Sequence, residues 1–555
     1  MSTPVVQPER TRTQLNVEIL ARPLFGGGRL VQDYLTGGTA LAPFFTGHFG
    51  DIDAYRRKAA EVDARFDRGA SAALAGVIRP LGDAAERLRD VLSGNGYLVT
   101  TGQQPALFGG PLYCIYKALA AIRLAATLEH ELRRPVVALF WIGADDHDWD
   151  EANHTVTLDA QNHVRRVTVS TTSDAVPLPL NERRWGADVT RVVAEFSELL
   201  PRTEFSDAIV AHLQSAYTPD ATVADSFAAT LELLLRNERI ALVNSAAPEL
   251  RRNAAAVLRA SIEHVAQHAA LLARQTQRLL DAGYHTQVTV AANVSNVMLL
   301  DEYGRDRLVR SDGGWLTRRA KRPLTEAELL GALIENPERF SPNVLLRPVV
   351  ENATLPTIAY VAGPGEVSYF AQIGCLFEAY GMLPPVVVPR PSITLVEAKI
   401  RKVLDKVELE PEAFVRPFHE LVTLAIRQEM PDDVAAALRA IRGALQTEYE
   451  TLTGAASRID PTLAGPLTGA RNNSLAQLND VEKKITGHLR QRNEILIEQL
   501  RKAAANLYPE GVAQERVLNP LPYVARYGPE LVGAVAAAMD LELRPLASWS
   551  GPECD

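Results

Sequence analysis

Apolar residues recur along this 555-residue chain with two different spacings, and the change falls near residue 394. Before it, short continuous apolar runs alternate with longer stretches whose apolar residues lie three or four positions apart. Short runs of this kind predict strands buried on both faces of a parallel sheet, and the longer stretches predict helices. The first part of the chain is therefore expected to form an open, mainly parallel α/β sheet.

One stretch of this first part is especially regular. Residues 97–101 are apolar and β-branched, 112–131 carry apolar residues at helical spacing, and 135–142 are continuously apolar. A glycine-rich loop, 102–111, joins the first two, and Pro111 suits the first turn of a helix because its missing N–H needs no partner there. This order of elements predicts a right-handed βαβ unit.

Two further strand–helix units follow, with less regular insertions expected at about 156–235 and 283–345. Together with the first unit they define a core over residues 1–394. The additional elements predicted are a strand at 239–244, a helix at 248–282, a strand at 357–361, a turn at 363–366, a helix through 370–380 and a strand at 385–389.

Beyond residue 394 the apolar residues keep a spacing of three and four, with charged residues between them. This pattern predicts two long helices in a coiled-coil hairpin over 395–506 that turns near 460–466. Such a hairpin is expected to project and to mediate a homodimer, or alternatively to lie flat on the core. Residues 507–555 are expected to pack back on the core or on the hairpin.

Composition narrows the class of protein. Hydrophobic residues make up 47% and charged residues 23%, as in ordinary globular proteins, and 58 Lys plus Arg against 67 Asp plus Glu give a net charge of −9. The acidic balance argues against a general nucleic-acid binder, and no apolar run reaches the roughly 18 residues of a membrane span. Three distant cysteines form no disulfide framework, and the N-terminus lacks the pattern of a secretory signal, so a cytoplasmic protein is expected.

Candidate chemistry lies in loops at the carboxyl ends of the predicted strands, where such sheets bind ligands. These loops are 101–111, 142–154 and 362–368. The second contains Asp146, His147 and Asp148 in a run of acids. It is suited to a divalent cation or to a general base, with a solvated turn as the alternative, and the neighbouring acids are expected to favour the imidazolium form of His147.

Other segments allow two interpretations each. Loop 101–111 precedes a helix N-terminus and is suited to an anion, or it is simply structural. Arg347, in an apolar run, forms a salt bridge or binds a carboxylate, and Glu366 is the one acid of a tight turn. The polar, aromatic segment 514–528 covers a nucleotide or caps the helices, and we favour the cap slightly.

The chain resembles the bacillithiol biosynthesis cysteine-adding enzymes, the BshC family, over about 97–530. The resemblance lies in six regions of the chain. They are TGQQ at 101–104, LF at 107–108, GPLY at 110–113 and IYK at 115–117; FWI at 140–142, DHD at 146–148, Glu151 and NH at 153–154; SPNVLLRP at 341–348; YV at 360–361 and GPGE at 363–366; VPR at 388–390; and QER at 514–516 with NP at 519–520.

This resemblance implies a Rossmann-like core with inserted connecting segments and a helical coiled-coil domain that dimerises. It implies a ligase that joins the carboxyl of cysteine to the amine of glucosaminyl-malate. Activation of that carboxyl is expected to require ATP, and neither ATP, ADP nor Mg²⁺ is established by the sequence. A different carboxylate–amine ligase or nucleotidyltransferase, or a non-catalytic metabolite-sensing scaffold, remains an alternative.

We assign three groups of residues to this activity. Asp146, His147 and Asp148 are assigned to deprotonating the amine or to binding a metal–nucleotide complex. Substrate contacts are expected from Gln103, Gln104, Tyr113, Lys117, Asn153, His154, Arg347 and Glu366, of which Arg347 would hold a carboxylate. Nucleotide contacts are expected from Gln514, Arg516, Asn519, Tyr523 and Arg526.

Overall fold

A computed structural model describes residues 9–12, 15–24, 26–67, 69, 72–170, 176–541 and 543 of the chain. The chain divides into two compact units. The core unit comprises Met1–Ala160, Arg165–Leu395 and Glu515–Asp555, and the helical unit comprises Gln161–Val164 and Val396–Gln514.

The core unit is built on a six-stranded sheet. Neighbouring strands are parallel except for the last pair. The predicted strands are therefore confirmed as members of one mainly parallel sheet, and an antiparallel edge strand is added that the sequence did not indicate. In spatial order the strands are Val386–Pro389, Thr357–Ala362, Tyr97–Gln103, Val136–Ile142, Ile240–Asn244 and Ile78–Pro80.

The continuous apolar run at 135–142 contains a fully buried strand, as expected. Every residue of the strand Val136–Ile142 is buried, because helices cover both faces of the sheet. The helix Leu112–Leu132 links this strand to Tyr97–Gln103 and matches the predicted bounds closely. The predicted βαβ unit is therefore confirmed.

Two helices differ from their predictions. The single helix expected at 248–282 is divided into Pro248–Glu263 and Val265–Asp281, because the backbone at His264 has φ −109° and ψ 26°. The turn expected at 363–366 is the first turn of the helix Pro364–Ala379. Proline suits that position, and Glu366 Oε2 accepts a hydrogen bond from the Gly363 amide at 2.7 Å, which caps the helix.

Both insertions are more regular than expected. The first contains paired strands His154–Leu158 and Val164–Thr168 and the helices Asp188–Leu199, Ser206–Ala216 and Val223–Leu235. The second forms a five-stranded antiparallel sheet and the helix Glu326–Glu335. We refer to this sheet as the inserted sheet. Its strands in spatial order are Pro323–Leu324, Gly314–Thr317, Gly304–Ser311, Val294–Asp301 and Phe340–Pro342.

The remaining core elements complete the layers around the sheet. A three-stranded sheet contains Glu9–Arg12, Val17–Arg22 and Ser392–Glu397. Residues 1–8 and 13–14 lie outside the described residues. The other helices are Arg29–Leu35, Thr39–Phe44, Ile52–Arg65, Ala73–Gly76, Ala84–Leu92, Leu107–Gly109, Trp149–Ala152, Pro337–Arg339, Arg347–Thr354, Leu521–Tyr527 and Glu530–Ala537.

The helical unit contains the predicted hairpin. Asp432–Ala456 and Ala464–Arg492 are antiparallel, and Arg442 donates across them to Asn479 Oδ1 at 2.9 Å and to Glu482 Oε2 at 2.6 Å. The connection is the short helix Pro461–Leu463, where Asp460 accepts a hydrogen bond from the Thr462 amide. The other helices of this part are Ala398–Lys406, Pro411–Val415, Phe418–Gln428, Glu494–Leu507 and Pro509–Gly511. The short helix Gln514–Val517 begins at the last residue of this unit, and its other residues belong to the core unit.

Two negative findings concern the described residues alone. None of the helices traced in the structure is long and apolar enough to cross a membrane. Within the same part of the chain, no three His, Cys, Asp or Glu side chains are grouped so that they could hold a metal ion. Cys114 and Cys375 are free and buried, whereas Cys554 lies outside the described residues.

Candidate functional site

A cavity of about 710 Å³ opens at the carboxyl ends of the parallel strands. Each of the three loops expected there contributes lining residues, including Gln103, His147 and Glu366. The inserted sheet forms a further wall. Of the sequence-predicted site residues, the cavity brings together Gln103, Gln104, Tyr113, Lys117, Asp146, His147, Arg347, Glu366 and Arg516.

The strand Tyr97–Gln103 and the helix that follows it position three of these side chains. Gln103 Nε2 donates to the Tyr113 hydroxyl at 3.2 Å, and Gln104 Nε2 donates to the Asp148 carbonyl at 2.9 Å. The Leu112 amide, first in the helix, already donates to the Leu518 carbonyl at 2.8 Å. The 101–111 loop therefore offers side-chain amides to the cavity, while the first N–H of the helix is paired within the protein.

Lys117 and Glu366 form a buried ion pair at the cavity. Lys117 Nζ lies 2.7 Å from Glu366 Oε2 and also donates to the Gly102 carbonyl. Burial lowers the pKa of the Lys117 ammonium, and Glu366 opposes that effect. Burial alone would raise the pKa of Glu366, but Lys117 and the Gly363 amide bring it below its usual value. The pair is therefore held in its charged form by mutual contact.

Arg347 belongs to the same network. Its Nη1 donates to Glu351 Oε2 at 2.7 Å, and its Nη2 donates to the hydroxyls of Tyr369 at 2.8 Å and Tyr360 at 3.2 Å. Tyr360 in turn donates to Glu366 Oε1 at 2.6 Å. Two cations and two carboxylates thus balance one another, so the guanidinium expected to hold a substrate carboxylate is already engaged within the protein.

The residues of loop 142–154, which we call the acidic loop, make different kinds of contact. Asp146 Oδ1 accepts hydrogen bonds from the His147 amide at 2.7 Å and the Asp148 amide at 3.3 Å. Asp148 is exposed, does not line the cavity, and caps the helix Trp149–Ala152 by accepting from the Glu151 amide at 3.2 Å. Asp145 pairs with the buried Arg251. Burial, then the charges of Asp148 and Asp146, raise the pKa of Glu151.

The neighbouring acids favour the imidazolium of His147 as expected, but the net shift of its pKa is downward. Its Nδ1 lies 3.2 Å from Arg305 Nη1, a residue of the inserted sheet. Burial and then Arg305 lower the pKa of His147, and they outweigh the opposite effect of Asp146. Sequence reasoning considered only the acids beside His147 in the chain, whereas the cation comes from a segment 158 residues away.

Most of the remaining predicted residues have structural contacts away from the cavity. Asn519 Nδ2 donates to the Phe108 carbonyl at 2.9 Å and the Gly110 carbonyl at 3.2 Å, and so fixes the loop before the helix Leu112–Leu132. His154 Nδ1 contacts the Asp150 carbonyl at 3.0 Å. Asn153 and Tyr523 are buried, Arg526 is exposed, and Gln514 donates to the Asn506 carbonyl at 2.8 Å. Of the five residues expected at a nucleotide, only Arg516 lines the cavity.

Sequence reasoning missed a basic wall of the cavity. Arg305 and Arg307 are two positions apart on the strand Gly304–Ser311 and therefore share a face. Both line the cavity, as do Arg516 and Arg390. Arg390 forms a buried bidentate pair with Glu515 at 2.8 and 2.9 Å. The guanidinium groups of Arg307 and Arg516 have no hydrogen-bond or ion-pair partner among the described residues, so they are available to an anion.

A signal for this wall exists in the sequence. The Arg-Asp-Arg alternation at 305–307 has the period of a strand and would place both arginines on one side. The chain around them lacks a strong apolar pattern, so the sequence places this segment only within an insertion. Its position beside the acidic loop depends on long-range packing.

Comparison with known proteins agrees with this architecture. A family model described as "Bacillithiol biosynthesis BshC, N-terminal Rossmann-like domain" matches residues 17–391, and one described as "Bacillithiol biosynthesis BshC, C-terminal coiled-coil domain" matches residues 393–542. Relatives from Salinibacter ruber and Chlorobaculum tepidum, each named "Putative cysteine ligase BshC", are 32% and 31% identical. The alignments cover 92% and 97% of this chain and 94% and 98% of the relatives. The chain belongs to the bacillithiol biosynthesis BshC family.

Proposed function

We propose that this protein is a cysteine ligase of bacillithiol biosynthesis, which forms an amide bond between the carboxyl of cysteine and the amine of glucosaminyl-malate. Family membership over both domains supports the reaction class. The observation that carries the substrate assignment is the basic wall, where Arg307 and Arg516 lack internal partners. A malyl group bears two carboxylates, and guanidinium groups bind carboxylates through paired, charge-assisted hydrogen bonds.

We assign different roles to the arginines of the basic wall. Arg307 is assigned to the malyl carboxylates, whereas the donors of Arg305 already contact Ser341, the Pro342 carbonyl and His147. Arg516 comes from a separate segment and is assigned to the phosphates of a nucleotide. Arg347 is assigned to holding the ionic network in shape, because its donors are already used by Glu351 and two tyrosines.

ATP fits the chemistry of this cavity as a co-substrate. It would activate the cysteine carboxylate as an adenylate or an acyl phosphate and so supply a leaving group. Mg²⁺ commonly binds through substrate phosphates and only one or two carboxylates. Asp146 and Glu151 are the lining carboxylates without an ion pair to Lys or Arg among the described residues, so we assign the Mg²⁺–ATP complex to their side of the cavity.

The test is incubation of the purified protein with ATP, Mg²⁺, cysteine and glucosaminyl-malate, with the product identified by mass spectrometry. The expected product has the mass of both substrates less one water. An acceptor that lacks the malyl group, such as methyl glucosaminide, is the matched control and should react poorly. EDTA should stop the reaction and excess Mg²⁺ should restore it. Absence of the product from the complete mixture would contradict the proposal, and ligation of a different amine would favour the other ligase.

Arg307→Gln tests the basic wall. We expect the KM for glucosaminyl-malate to rise by about 10- to 100-fold, as for loss of a charged hydrogen bond worth about 1.5–3 kcal/mol. The matched control is Arg310→Gln, on the same strand but the opposite face, where the side chain is half exposed and pairs with Glu326. Equal KM values for the two variants would remove Arg307 from substrate binding.

We also propose that the helical unit forms a homodimer. Ile441 and Leu452 are 49% and 50% exposed and lie 11 residues apart on the helix Asp432–Ala456, which places them on one face three turns apart. Ile441→Glu with Leu452→Glu should convert a dimer to a monomer in sedimentation velocity. Gln446→Glu, exposed on another face of that helix, is the control and should leave the dimer intact. A wild-type monomer would refute the proposal.

A cytoplasmic location accords with this assignment. Cys114 and Cys375 are free thiols, which accords with a reducing compartment. Fractionation of cells that express the tagged protein is expected to recover it with cytoplasmic markers.

A further inference from the structure

A small cavity adjoins the candidate site. The two cavities share four lining residues: Val288, Arg307, Asn343 and Val344. The smaller one, which we call the side chamber, has a volume of about 50 Å³. At roughly 10–15 Å³ for each water-sized group, a space of this size accepts about three to five non-hydrogen atoms. It is therefore suited to one arm of a substrate held in the larger cavity, and it is too small for a sugar ring or a nucleobase.

The walls of the side chamber are mostly apolar. Leu272 of the helix Val265–Asp281 and Val294 of the inserted sheet are examples. The polar residues that line it are Thr289, Asn296, Arg307 and Asn343, and none of its lining residues is Asp or Glu. A group that binds there must place its polar atoms at these few side chains and its carbon atoms against the apolar wall.

The amide of Asn296 is oriented by its neighbour Asn343. Asn343 Oδ1 accepts hydrogen bonds from the Leu345 amide at 3.0 Å and the Leu346 amide at 3.1 Å. Its Nδ2 therefore points the other way and donates to Asn296 Oδ1 at 2.9 Å. Because Asn296 must accept there, its own Nδ2 faces away from Asn343, and this nitrogen has no hydrogen-bond partner among the residues that the structure describes. Asn296 thus presents a donor to the side chamber.

Arg307 lies on the same face of the inserted sheet as Asn296. Met298 is directly opposite Arg307 on the neighbouring strand, and Asn296 is two positions before Met298, which places the three side chains on one face. The adjacent acid, Asp306, accepts from the Arg319 amide at 2.6 Å and the Arg307 amide at 2.8 Å. The guanidinium of Arg307 has no such partner within the described part of the chain. A cation and an amide donor that line one chamber favour a carboxylate.

We propose that Asn296 and Arg307 bind the terminal carboxylate of the malyl group, whose CH₂–COO⁻ arm enters the side chamber. This inference rests on the proposed ligase function and adds Asn296 to it as a substrate-binding residue. The two carbons and two oxygens of the arm match the volume of the chamber, and the methylene meets its apolar wall. The other malyl carboxylate stays in the larger cavity. The chamber thereby selects an acceptor that carries a second carboxylate on a methylene.

Two acceptors test this selection in the full-length wild-type protein. In glucosaminyl-lactate a methyl group replaces the carboxymethyl arm of glucosaminyl-malate, and the rest of the molecule is unchanged. Isothermal titration calorimetry without ATP or cysteine should give a Kd for the malyl acceptor about 10- to 100-fold below that for the lactyl acceptor, as expected for charged hydrogen bonds. Equal affinities, or no binding of either acceptor, would overturn the proposal.

Asn296→Asp separates substrate binding from a structural role. Aspartate still offers an oxygen to Asn343 Nδ2, but it replaces the free donor with a charged oxygen. The Kd for the malyl acceptor should rise by about 10- to 100-fold, while that for the lactyl acceptor should change by less than about 3-fold. The matched control is Asn293→Ala, an exposed position that lines neither cavity. If Asn296 served only to hold Asn343, Asn296→Asp would bind both acceptors as wild type does, and that result would overturn the proposal.

Ligation assays distinguish this inference from the function on which it rests. Asn296→Asp should raise the KM for glucosaminyl-malate and leave the KM for ATP unchanged. A rise in the KM for ATP alone would assign the chamber to a phosphate and overturn the proposal. If the two acceptors are ligated with equal KM by the wild type, the side chamber fails and the ligase stands. If the acceptors bind as expected but no product forms, the ligase fails and the carboxylate site stands.

Discussion

Replacing Glu515 with glutamine should destabilise the core unit by about 4 kcal/mol, within the range of about 3–5 kcal/mol for breaking a buried ion pair. Glu515 and Arg390 are 3% and 2% exposed. One carboxylate oxygen accepts from Arg390 Nη2 and Ser392 Oγ, and the other from Arg390 Nη1 and the Ile393 amide. The pair joins the segment after the helical hairpin to the core and holds the adjacent Arg516 beside the cavity.

The magnitude follows from these contacts. Glutamine presents one oxygen instead of two, so two of the four hydrogen bonds are lost, and hydrogen bonds to charged groups contribute about 1.5–3 kcal/mol each. Arg390 is left as a buried cation without a counter-charge. The range for breaking a buried ion pair and the sum for two lost hydrogen bonds are similar. They describe the same decrease in the free energy of unfolding and are therefore not added together.

Tryptophan fluorescence during urea unfolding is a suitable assay. The helical unit contains no tryptophan, whereas Trp141, Trp149 and Trp185 are in the core unit. The fluorescence transition therefore reports the core unit. Glu131→Gln, the same substitution at an exposed position of the helix Leu112–Leu132, is the control and should change the free energy of unfolding by less than about 0.5 kcal/mol.

A double-mutant cycle completes this test. Arg390→Met and Glu515→Gln remove the same pair, so the combined variant should lose clearly less stability than the sum of the single losses. A free energy of unfolding for Glu515→Gln within 1 kcal/mol of the control, or additive losses in the cycle, would refute the reasoning about a buried, coupled pair.

Three further predictions concern the packing around the site. Phe108 is fully buried with φ 54°. Phe108→Ala should lower the free energy of unfolding in urea by about 3–5 kcal/mol, because it leaves a cavity in the core. A decrease below about 1 kcal/mol would contradict this and would mean that the surrounding residues fill the cavity. Gly304 has φ 90°, and a β-carbon there would lie 2.8 Å from the Pro177 carbonyl oxygen. Gly304→Ala should therefore lower both the melting temperature and the rate of ligation, and an unchanged melting temperature would contradict this. Burial raises the pKa of the Cys114 and Cys375 thiols to about 12, so a Cys554→Ser protein should show no rapidly reacting thiol with Ellman's reagent at pH 8 and two after unfolding.

The candidate site was predictable in part. The three strand-end loops were identified because parallel strands bring their carboxyl ends to one edge, which follows from order along the chain. The functions of individual side chains in those loops were less predictable. Asp148 and Asn519 have the residue types of a binding site, but each satisfies a backbone group instead, as an N-cap and as a loop brace. Sequence spacing does not distinguish a side chain that points into a cavity from one that completes a hydrogen bond beside it.

The sequence by itself determined the elements whose cause is local. The apolar run of Val136–Ile142, the helical spacing of Leu112–Leu132 and the heptad-like rhythm of Asp432–Ala456 each reflect periodicity along the chain, and each is present in the structure. Tertiary structure alone decided the position of the basic wall beside the acidic loop and the downward shift of the pKa of His147. Arg305 approaches His147 from 158 residues away, through an antiparallel sheet with weak periodicity, and desolvation with a fixed cation then outweighs the acids beside the histidine in sequence.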